Sequence, residues 1–300
     1  MSPAATPALD VDTALLRGWP LPQPDPEGDK ETRGRALVIA GSPEIPGAAL
    51  LASIAALRAG AGRLTVATAA RIAPGLALAL PEGRVIGLPD TADGGLRADG
   101  IGALERVLKK TQAVLLGPGL QDEAATTSFV QAMLARCGDA AVILDALAMN
   151  VVDVVPRFER PVLLTPHAGE MARLTGGDKA AILQDGERAC REAAQRWNAV
   201  VALKGARTWI ATPQGQAWHH DGGSVGLATS GSGDALAGIV AGLAARGAPL
   251  AQACVWGVAL HARAGLALAA QRGPLGFLAR ELPGEVPRLM HELGAIDDNA

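Results

Sequence analysis

Tyrosine is absent from this 300-residue chain, and phenylalanine occurs only three times. Ala, Leu, Val and Ile must therefore fill the interior, in keeping with a composition that is 49% hydrophobic. Cysteine is scarce as well. Cys137, Cys190 and Cys254 lie far apart, without the spacing of a metal site or a disulfide framework. They indicate small buried side chains in a reducing compartment.

Charge and targeting signals are weak too. The net charge is −3 and no basic stripe is present, which argues against a nucleic-acid-binding protein. The N-terminus is acidic and proline-rich and lacks the basic and apolar regions of a signal peptide. His261 and Arg263 interrupt the longest apolar helical stretch, so no membrane-spanning helix is predicted. We expect a soluble cytoplasmic protein.

The chain divides into a short arm and one large domain. Residues 1–34 carry Pro20, Pro22, Pro24 and Pro26 among charged residues, a composition typical of a mobile or surface-draped arm. Neither a linker nor an internal repeat divides the remainder, so residues 35–300 are predicted to form a single domain.

Short apolar runs alternate with helical segments along that domain. Buried strands are predicted at residues 36–40, 63–68, 113–116, 141–144, 162–165 and 199–203. Intervening helices are predicted at 48–58, 126–136 and 180–197, a hairpin at 208–212 and 216–219, and two final helices at 235–246 and 250–270. This alternation predicts an α/β fold whose mostly parallel sheet is covered by helices on both faces.

Chemically active or small residues follow several of the predicted strands. They are Gly41-Ser42, Gly117-Pro118-Gly119, Asp145, Pro166-His167 and Lys204-Gly205. Ligands of open α/β sheets bind beyond the carboxyl ends of the strands, so these residues predict one site at that edge.

The segment from Gly231 to Asp234 carries the strongest functional signal. Gly231, Ser232 and Gly233 are too small to block a ligand, so their backbone N–H groups can converge on an anion at the start of an apolar helix. Asp234 would lie beside that anion, where a general base is useful. The motif resembles the Gly-X-Gly-Asp motif of the ribokinase-like superfamily, but by itself it is equally well explained as a Ser-capped helix after a glycine turn.

Further segments follow a family pattern in the right order between about residues 36 and 268. They are residues 47–49, 55–62, 117–120, 164–171, 203–208 and 226–234. On these segments the chain resembles the ADP-dependent NAD(P)H-hydrate dehydratases, and residues 165–171, Thr-Pro-His-Ala-Gly-Glu-Met, are the most discriminating. The resemblance implies a ribokinase-like three-layer αβα sandwich with a mostly parallel central sheet.

The resemblance also implies a reaction and a set of site residues. ADP would phosphorylate the C6 hydroxyl of the S-epimer of hydrated NAD(P)H, and expulsion of phosphate would restore NAD(P)H and leave AMP. Asp234 would act as the base, and Gly231, Ser232 and Gly233 would form the anion hole. The nucleotide would contact Lys204, Gly205, Ala206, Arg207, Thr208 and Gly233. The hydrate would contact Ala48, Gly119, His167 and Asp234.

The same family implies further partners. Mg²⁺ is expected to bridge the phosphates, as in other phosphoryl transfers, although no protein ligands for it can be named. A stand-alone homotetramer is expected, with a separate epimerase acting on the same hydrate. Preferences between ADP and ATP, and between the hydrates of NADH and NADPH, stay open.

Several residues have purely structural alternatives. His167 has the alternative of a loop histidine bonded to backbone, and Lys204 that of a surface lysine. Glu170 is expected to complement a helix dipole, and Asp145 has the alternative of capping a turn. His219 and His220 are expected to be solvated at a hairpin end, and Trp209 and Trp256 to pack rather than to stack on bases.

Departures from the family pattern leave two other functions open. Leu147 replaces a second carboxylate, Ser230 replaces a usual glycine, and Ser224 stands near an expected asparagine. The alternatives are an ATP-dependent kinase of the hydroxymethylpyrimidine, thiazole or pyridoxal type, and a non-catalytic nucleotide-binding relative. Residues 165–171 argue against the kinase, and the presence of Asp234 argues against a non-catalytic protein.

Overall fold

A single ten-stranded sheet organises the protein in a computed structural model that describes residues 6–23, 27 and 33–294. The strands are β1 (Leu9–Asp10), β2 (Arg35–Ile39), β3 (Arg63–Ala69), β4 (Arg84–Leu88), β5 (Ala113–Leu116), β6 (Ala141–Leu144), β7 (Val162–Leu164), β8 (Ala199–Leu203), β9 (Arg207–Ala211) and β10 (Ala217–Asp221). Their order across the sheet is β1-β10-β9-β8-β7-β6-β5-β2-β3-β4. Only β9 runs antiparallel to its neighbours among these strands.

Eleven α-helices accompany the strands within the described residues. They are α1 (Thr13–Gly18), α2 (Pro46–Arg58), α3 (Ala73–Ala79), α4 (Glu105–Leu108), α5 (Glu123–Leu134), α6 (Ala168–Thr175), α7 (Lys179–Gln184), α8 (Gly186–Trp197), α9 (Ser232–Ala245), α10 (Leu250–Arg272) and α11 (Leu282–Glu292).

The sheet is buried on both faces. Successive side chains of a strand point to opposite faces, so Ala36 and Val38 of β2 join one apolar core while Leu37 and Ile39 join the other. Helices α2, α9, α10 and α11 contribute to the first core, and α5, α6 and α8 to the second. The predicted αβα sandwich with a mostly parallel sheet is confirmed.

Most predicted elements agree with the structure, and three differences stand out. The predicted helix at 180–197 is two helices, because the Asp185 carboxylate accepts a hydrogen bond from the Arg188 N–H (3.2 Å) and starts α8. Strand β4 was not predicted, although Val85, Ile86 and Leu88 are apolar; it lies at the sheet edge, where most of its residues are exposed or half-buried. The two predicted final helices are followed by a third, α11.

The described part of the N-terminal arm, residues 6–23, packs on the domain. Strand β1 adds to the sheet beside β10, Leu16 is fully buried, and the Trp19 ring stacks on Trp218 with centroids 5.7 Å apart. The Trp256 indole donates a hydrogen bond to the Trp19 carbonyl oxygen (2.8 Å). Pro24 and Pro26 lie outside the described residues.

Helix α10 is long and apolar enough, at 23 residues, to cross a membrane by those two criteria. Two thirds (67%) of its apolar window is buried inside the fold, against α9 and α11, as in a core helix.

Close contact between α2 and α9 sets the position of α9 relative to the sheet. Gly238 and Gly242 of α9 face the backbone of α2, and a Cβ on either would lie 2.2 Å from the Ala52 oxygen or 2.3 Å from the Ala56 oxygen. Only glycine allows this approach, which brings the first turn of α9 to the carboxyl ends of the strands.

We expect Gly238→Ala to lower the free energy of unfolding by about 1–3 kcal/mol, because the added methyl group forces the two helices apart. Gly75→Ala is the matched control. Gly75 also lies in a helix, but its Cβ would meet nothing within 4 Å, so helix propensity should raise stability by roughly 0.5–1 kcal/mol. Urea denaturation measures both, and equal effects would contradict the close-contact account.

Candidate active site

The carboxyl ends of five adjacent parallel strands, β8, β7, β6, β5 and β2, form one edge of the sheet. The residues that follow them include Lys204, His167, Asp145 and Gly119, as the sequence predicts. An isolated bridge pairs His167 with Lys204 just beyond the strands. The first turn of α9 contributes Asp234 to the electrostatic surroundings of Lys204.

Lys204 is the centre of an ionic cluster. Its Nζ lies 3.2 Å from Asp145 Oδ1 and 4.0 Å from Glu170 Oε2. Burial alone would lower the pKa of Lys204, but the charges of Asp145, Glu170 and Asp234 outweigh that effect and raise the pKa. The ammonium is therefore charged at neutral pH. The hypothesis that Lys204 is an ordinary surface lysine does not fit, because its side chain is only 21% exposed.

Asp145 does not cap a turn. Its carboxylate is nearly fully buried, makes no capping hydrogen bond, and accepts from Thr165 Oγ1 (2.5 Å) as well as from Lys204. Asp145 thus holds the ammonium at the sheet edge. The alternative in which it only caps a turn is wrong.

Asp234 has the protonation behaviour of a general base. Burial, reinforced by the like charge of Asp145, raises the pKa of Asp234 to about 6, against the opposing charge of Lys204. A carboxylate with this pKa is largely ionised at pH 7 yet holds a proton more readily than an exposed aspartate does.

The start of α9 has free hydrogen-bond donors. Gly231 is left-handed (φ 86°) at the N-cap, and its carbonyl accepts from the Ala235 N–H (3.1 Å). The Ser232 N–H donates to the Thr229 oxygen (3.3 Å), so the prediction that this N–H is free for an anion is wrong. Within residues 6–23, 27 and 33–294, the N–H groups of Gly233 and Asp234 have no acceptor. The Lys204 ammonium lies 3.4 Å from where a Cβ on Gly233 would stand, so charge and free donors meet there.

A cavity of about 870 Å³ opens beside these donors, large enough for a nucleotide. Its wall combines the turn after β8, the loop before α9, and one face of α10. From the predicted nucleotide-binding set it includes Lys204, Gly205, Ala206, Thr208 and Gly233. His167 and Ser232 line it as well.

Strand register explains why Arg207 and His220 have surroundings that differ from those predicted. Arg207 does not line the cavity: it pairs with Asp221 across the β9–β10 ladder, and the Arg207 guanidinium carbon lies 5.4 Å from the Trp209 ring centroid. Thr208 and its ladder partner His220 face the opposite way, into the cavity. His220 is only 7% exposed, so the prediction that it is solvated is wrong.

His167 and Glu170 form a capping box at the start of α6. His167 Nδ1 accepts from the N–H groups of Gly169 (3.0 Å) and Glu170 (3.2 Å), and Glu170 Oε2 accepts from the His167 N–H (2.7 Å). The structural alternative for His167 is thus correct for Nδ1. The other ring nitrogen, Nε2, lies 3.6 Å from Glu170 Oε2, and the side chain is 58% exposed and lines the cavity.

Ala48 and Gly119, two more residues predicted to contact the hydrate, lie together outside the cavity wall, and Asp234 and Gly231 are not among the lining residues either. A Cβ on Gly119 would stand 2.6 Å from the Ala48 Cβ. One turn farther along α2, Leu51 lies 2.5 Å from the Cβ position of Gly231. The structure therefore brings this pair close to the start of α9, on the α2 side.

A profile of the NAD(P)H-hydrate dehydratase family matches residues 36–288. The chain belongs to the NAD(P)H-hydrate dehydratase family. The family resemblance seen in the sequence is therefore confirmed.

Two relatives illustrate the range of this dehydratase family. The ADP-dependent (S)-NAD(P)H-hydrate dehydratase of Xanthomonas campestris pv. campestris is 47% identical over 290 residues, which are 94% of this chain and 96% of that protein. The bifunctional NAD(P)H-hydrate repair enzyme of Moorella thermoacetica is 40% identical over 277 residues. That match covers 91% of this chain but 52% of the bifunctional protein.

Solved structures have the same fold. An ADP/ATP-dependent NAD(P)H-hydrate dehydratase from Bacillus subtilis, co-crystallised with ATP and Mg²⁺, matches with a TM-score of 0.82 and 31% identity over 96% of this chain and 100% of that one. The chain also matches the solved structure of a ribokinase-like superfamily protein, which confirms the predicted fold class.

Three departures from the family pattern fall at different places. Ser224 lines the cavity, where its hydroxyl accepts from the Gly226 N–H (3.2 Å) and donates to the Pro274 oxygen (3.3 Å). Leu147 is half-buried in the segment after Asp145, and Ser230 is exposed beside the start of α9. Asp145, Lys204 and Asp234 remain a compact cluster despite these changes.

Sequence reasoning missed two residues of the site. His261 and Thr165 contact site residues only through the fold: His261 reaches Ser232 from α10, and Thr165 reaches Asp145 from the end of β7. A histidine inside an otherwise apolar helix was the available signal for His261. Thr165 offered none beyond its place at a strand end.

We expect Asp234 to titrate near pH 6 in the free protein. The carboxyl carbon NMR signal of aspartate-labelled protein measures this titration. Asp145→Asn should lower that pKa, because it removes a repelling negative charge and leaves the Lys204 ammonium attracting Asp234. Asp139→Asn, at a side chain that is 96% exposed, should leave it unchanged. Titration near pH 4 in the unmodified protein would contradict this account of burial.

Proposed function

We propose that this protein is an ADP-dependent (S)-NAD(P)H-hydrate dehydratase that repairs hydrated nicotinamide cofactors. The observation that carries the proposal is the meeting of Lys204 and the free N–H of Gly233 in the cavity wall, next to Asp234, whose charge acts on Lys204. The name of the Xanthomonas relative supports the choice of substrate and nucleotide.

The cavity wall suits a nucleoside diphosphate. Gly205, Ala206 and Thr208 would border its adenosine part, and Lys204 would hold its phosphates with the Gly233 N–H. These donors lie in place before the ligand arrives, so little reorganisation is needed at the moment of phosphoryl transfer. We propose ADP as the nucleotide, with ATP as an alternative to be compared in the assay.

Asp234 would take the proton from the C6 hydroxyl of the hydrate as its oxygen attacks the terminal phosphorus of ADP and AMP leaves. The ring nitrogen would then expel phosphate with its electron pair, and loss of a proton from the adjacent ring carbon would restore NAD(P)H. His167, Ala48 and Gly119 would hold the nicotinamide side. General-base catalysis of this kind contributes roughly 10²–10⁴ to the rate.

Mg²⁺ would be held mainly by the nucleotide. Residues 6–23, 27 and 33–294 contain no group of three or more His, Cys, Asp or Glu side chains placed to bind a metal ion. Magnesium usually keeps several waters and is bound by substrate phosphates with one or two carboxylates. Asp145 is hydrogen-bonded to Lys204 and Glu170 accepts from the His167 N–H, so Asp234 is the nearby carboxylate best placed for such an ion. Such an ion would neutralise phosphate charge during transfer.

The family resemblance supports the remaining proposals. They are a cytoplasmic location, a homotetramer, and a separate epimerase that supplies the S-epimer of the hydrate.

We expect Lys204→Met to weaken ADP binding at least roughly tenfold, because it removes the charge on the phosphates and keeps the aliphatic stem. Arg207→Ala should change ADP affinity less than about twofold, since Arg207 faces away from the cavity. Titration calorimetry measures both. Lys204→Met leaves the Asp145 carboxylate without its partner, and adding Asp145→Asn removes that charge. If the folded double variant still binds ADP weakly, the loss of affinity is due to the missing lysine.

The decisive experiment mixes the protein with hydrated NADH or NADPH, Mg²⁺ and either ADP or ATP. Recovery of reduced-cofactor absorbance should accompany AMP and phosphate in equal amounts when ADP is used. Asp234→Asn should bind ADP normally while turnover falls by about 10² or more, because Asn cannot accept the hydroxyl proton. Asp139→Asn is the matched control. A stable phosphorylated alcohol, with no activity on the hydrate, would refute the proposal in favour of a kinase.

A further inference from the structure

His261 lies in the middle of α10 and reaches across to the first turn of α9. Its Nε2 is 2.9 Å from Ser232 Oγ and 3.0 Å from the Ser232 carbonyl oxygen. The imidazole is half-buried and lines the cavity beside Ser232 and Lys204. The roles proposed above for the Gly231–Asp234 motif make no use of this histidine.

These two contacts determine where the imidazole proton lies. A carbonyl oxygen can only accept, so the short contact with the Ser232 oxygen requires the hydrogen on Nε2. Burial, helped by the charge of Lys204 and opposed by the Ser232 carbonyl, lowers the pKa of His261 to about 4. The ring is therefore neutral at pH 7, with Nε2 as donor and Nδ1 without a hydrogen.

The proton position on His261 sets the role of the Ser232 hydroxyl. With the hydrogen on Nε2 and both Ser232 oxygens within 3.0 Å of that atom, Oγ accepts from the ring, and its own hydrogen is left to donate elsewhere. No other partner of Ser232 Oγ occurs within residues 6–23, 27 and 33–294. Ser232 lines the cavity next to the free N–H of Gly233 and near the Lys204 ammonium.

We propose that His261 is a positioning residue that turns the Ser232 hydroxyl into a donor to the terminal phosphoryl group of ADP. This inference rests on the proposed function and deepens it. The terminal phosphoryl group would then meet the Ser232 hydroxyl in addition to the Gly233 and Asp234 N–H groups and the Lys204 ammonium. His261 itself would not touch the reacting atoms.

A donor directed at the terminal phosphoryl group discriminates between nucleotides. ADP has that group and AMP lacks it, whereas the adenosine and first phosphate are common to both. Loss of one hydrogen bond to a charged acceptor corresponds to roughly 10-fold to 100-fold in affinity. A merely structural role for His261 would weaken both ligands alike, because the same imidazole is part of the cavity wall.

The test measures ADP and AMP binding by titration calorimetry in His261→Met, His261→Gln and Ser232→Ala. His261→Met fills similar space without a donor, so we expect at least a tenfold loss for ADP and less than about a twofold change for AMP. His261→Gln brings an amide N–H close to the Nε2 position and should restore most of the ADP affinity. Ser232→Ala should lose ADP affinity as His261→Met does, and the double variant should lose no more.

Each alternative outcome is distinct. Equal losses for ADP and AMP, additive losses in the double variant, or unchanged ADP affinity would overturn the role of His261. If His261→Met does not fold, two results still test the proposal. Ser232→Ala should lose affinity for ADP but not for AMP, and His261→Gln should keep most of the ADP affinity. An unmodified protein that distinguishes ADP from AMP but does not process the hydrate would refute the proposed function alone, whereas one that does not bind ADP would overturn both.

Discussion

The contact between α2 and α9 is the constraint on which the site depends. Gly238 and Gly242 let the two helix backbones approach to a separation that no side chain would allow. Because α9 is held there, its first turn lies at the sheet edge where β6, β7 and β8 end. Lys204 is held independently of α9, because it directly follows β8. A small displacement of α9 would therefore separate its N–H groups from Lys204.

The ionic cluster balances opposing demands. In the proposed reaction Lys204 would bind phosphates as an ammonium, and Asp145, held by Thr165, favours that charged form in a partly buried place. The same Asp145 charge, added to burial, raises the pKa of Asp234 into the range that suits a base at neutral pH. One carboxylate therefore raises the pKa of both Lys204 and Asp234.

The sequence predicted the parts of the fold and site that local patterns encode. Apolar runs located most of the sheet, and β5, β6 and β8 have the predicted bounds. Strand ends identified Lys204 and His167, and the small residues before Asp234 marked the start of α9. Each of these signals lies within a few consecutive residues, which is why it can be recognised without the fold.

The errors arise where a side chain's role depends on its register or its partners. Arg207 and Thr208 are neighbours in sequence, yet β9 turns one towards Asp221 and the other into the cavity. His220 is buried because its ladder partner is Thr208, a pairing that a short hairpin pattern predicts only approximately. Asp145 and His261 act through residues about 60 and 30 positions away, so only the folded chain reveals their contacts.

The pairing of β1 with β10 has a consequence for the order of events during synthesis. Leu9 lies beside Trp218, so roughly 200 residues must leave the ribosome before the first strand finds its partner. Until then β10 would present an unpaired edge, and the indole ring of Trp218 would lack the cover that Trp19 provides. Strand β1 therefore cannot join the sheet before β10 has been made, and in the folded protein it covers the edge of β10.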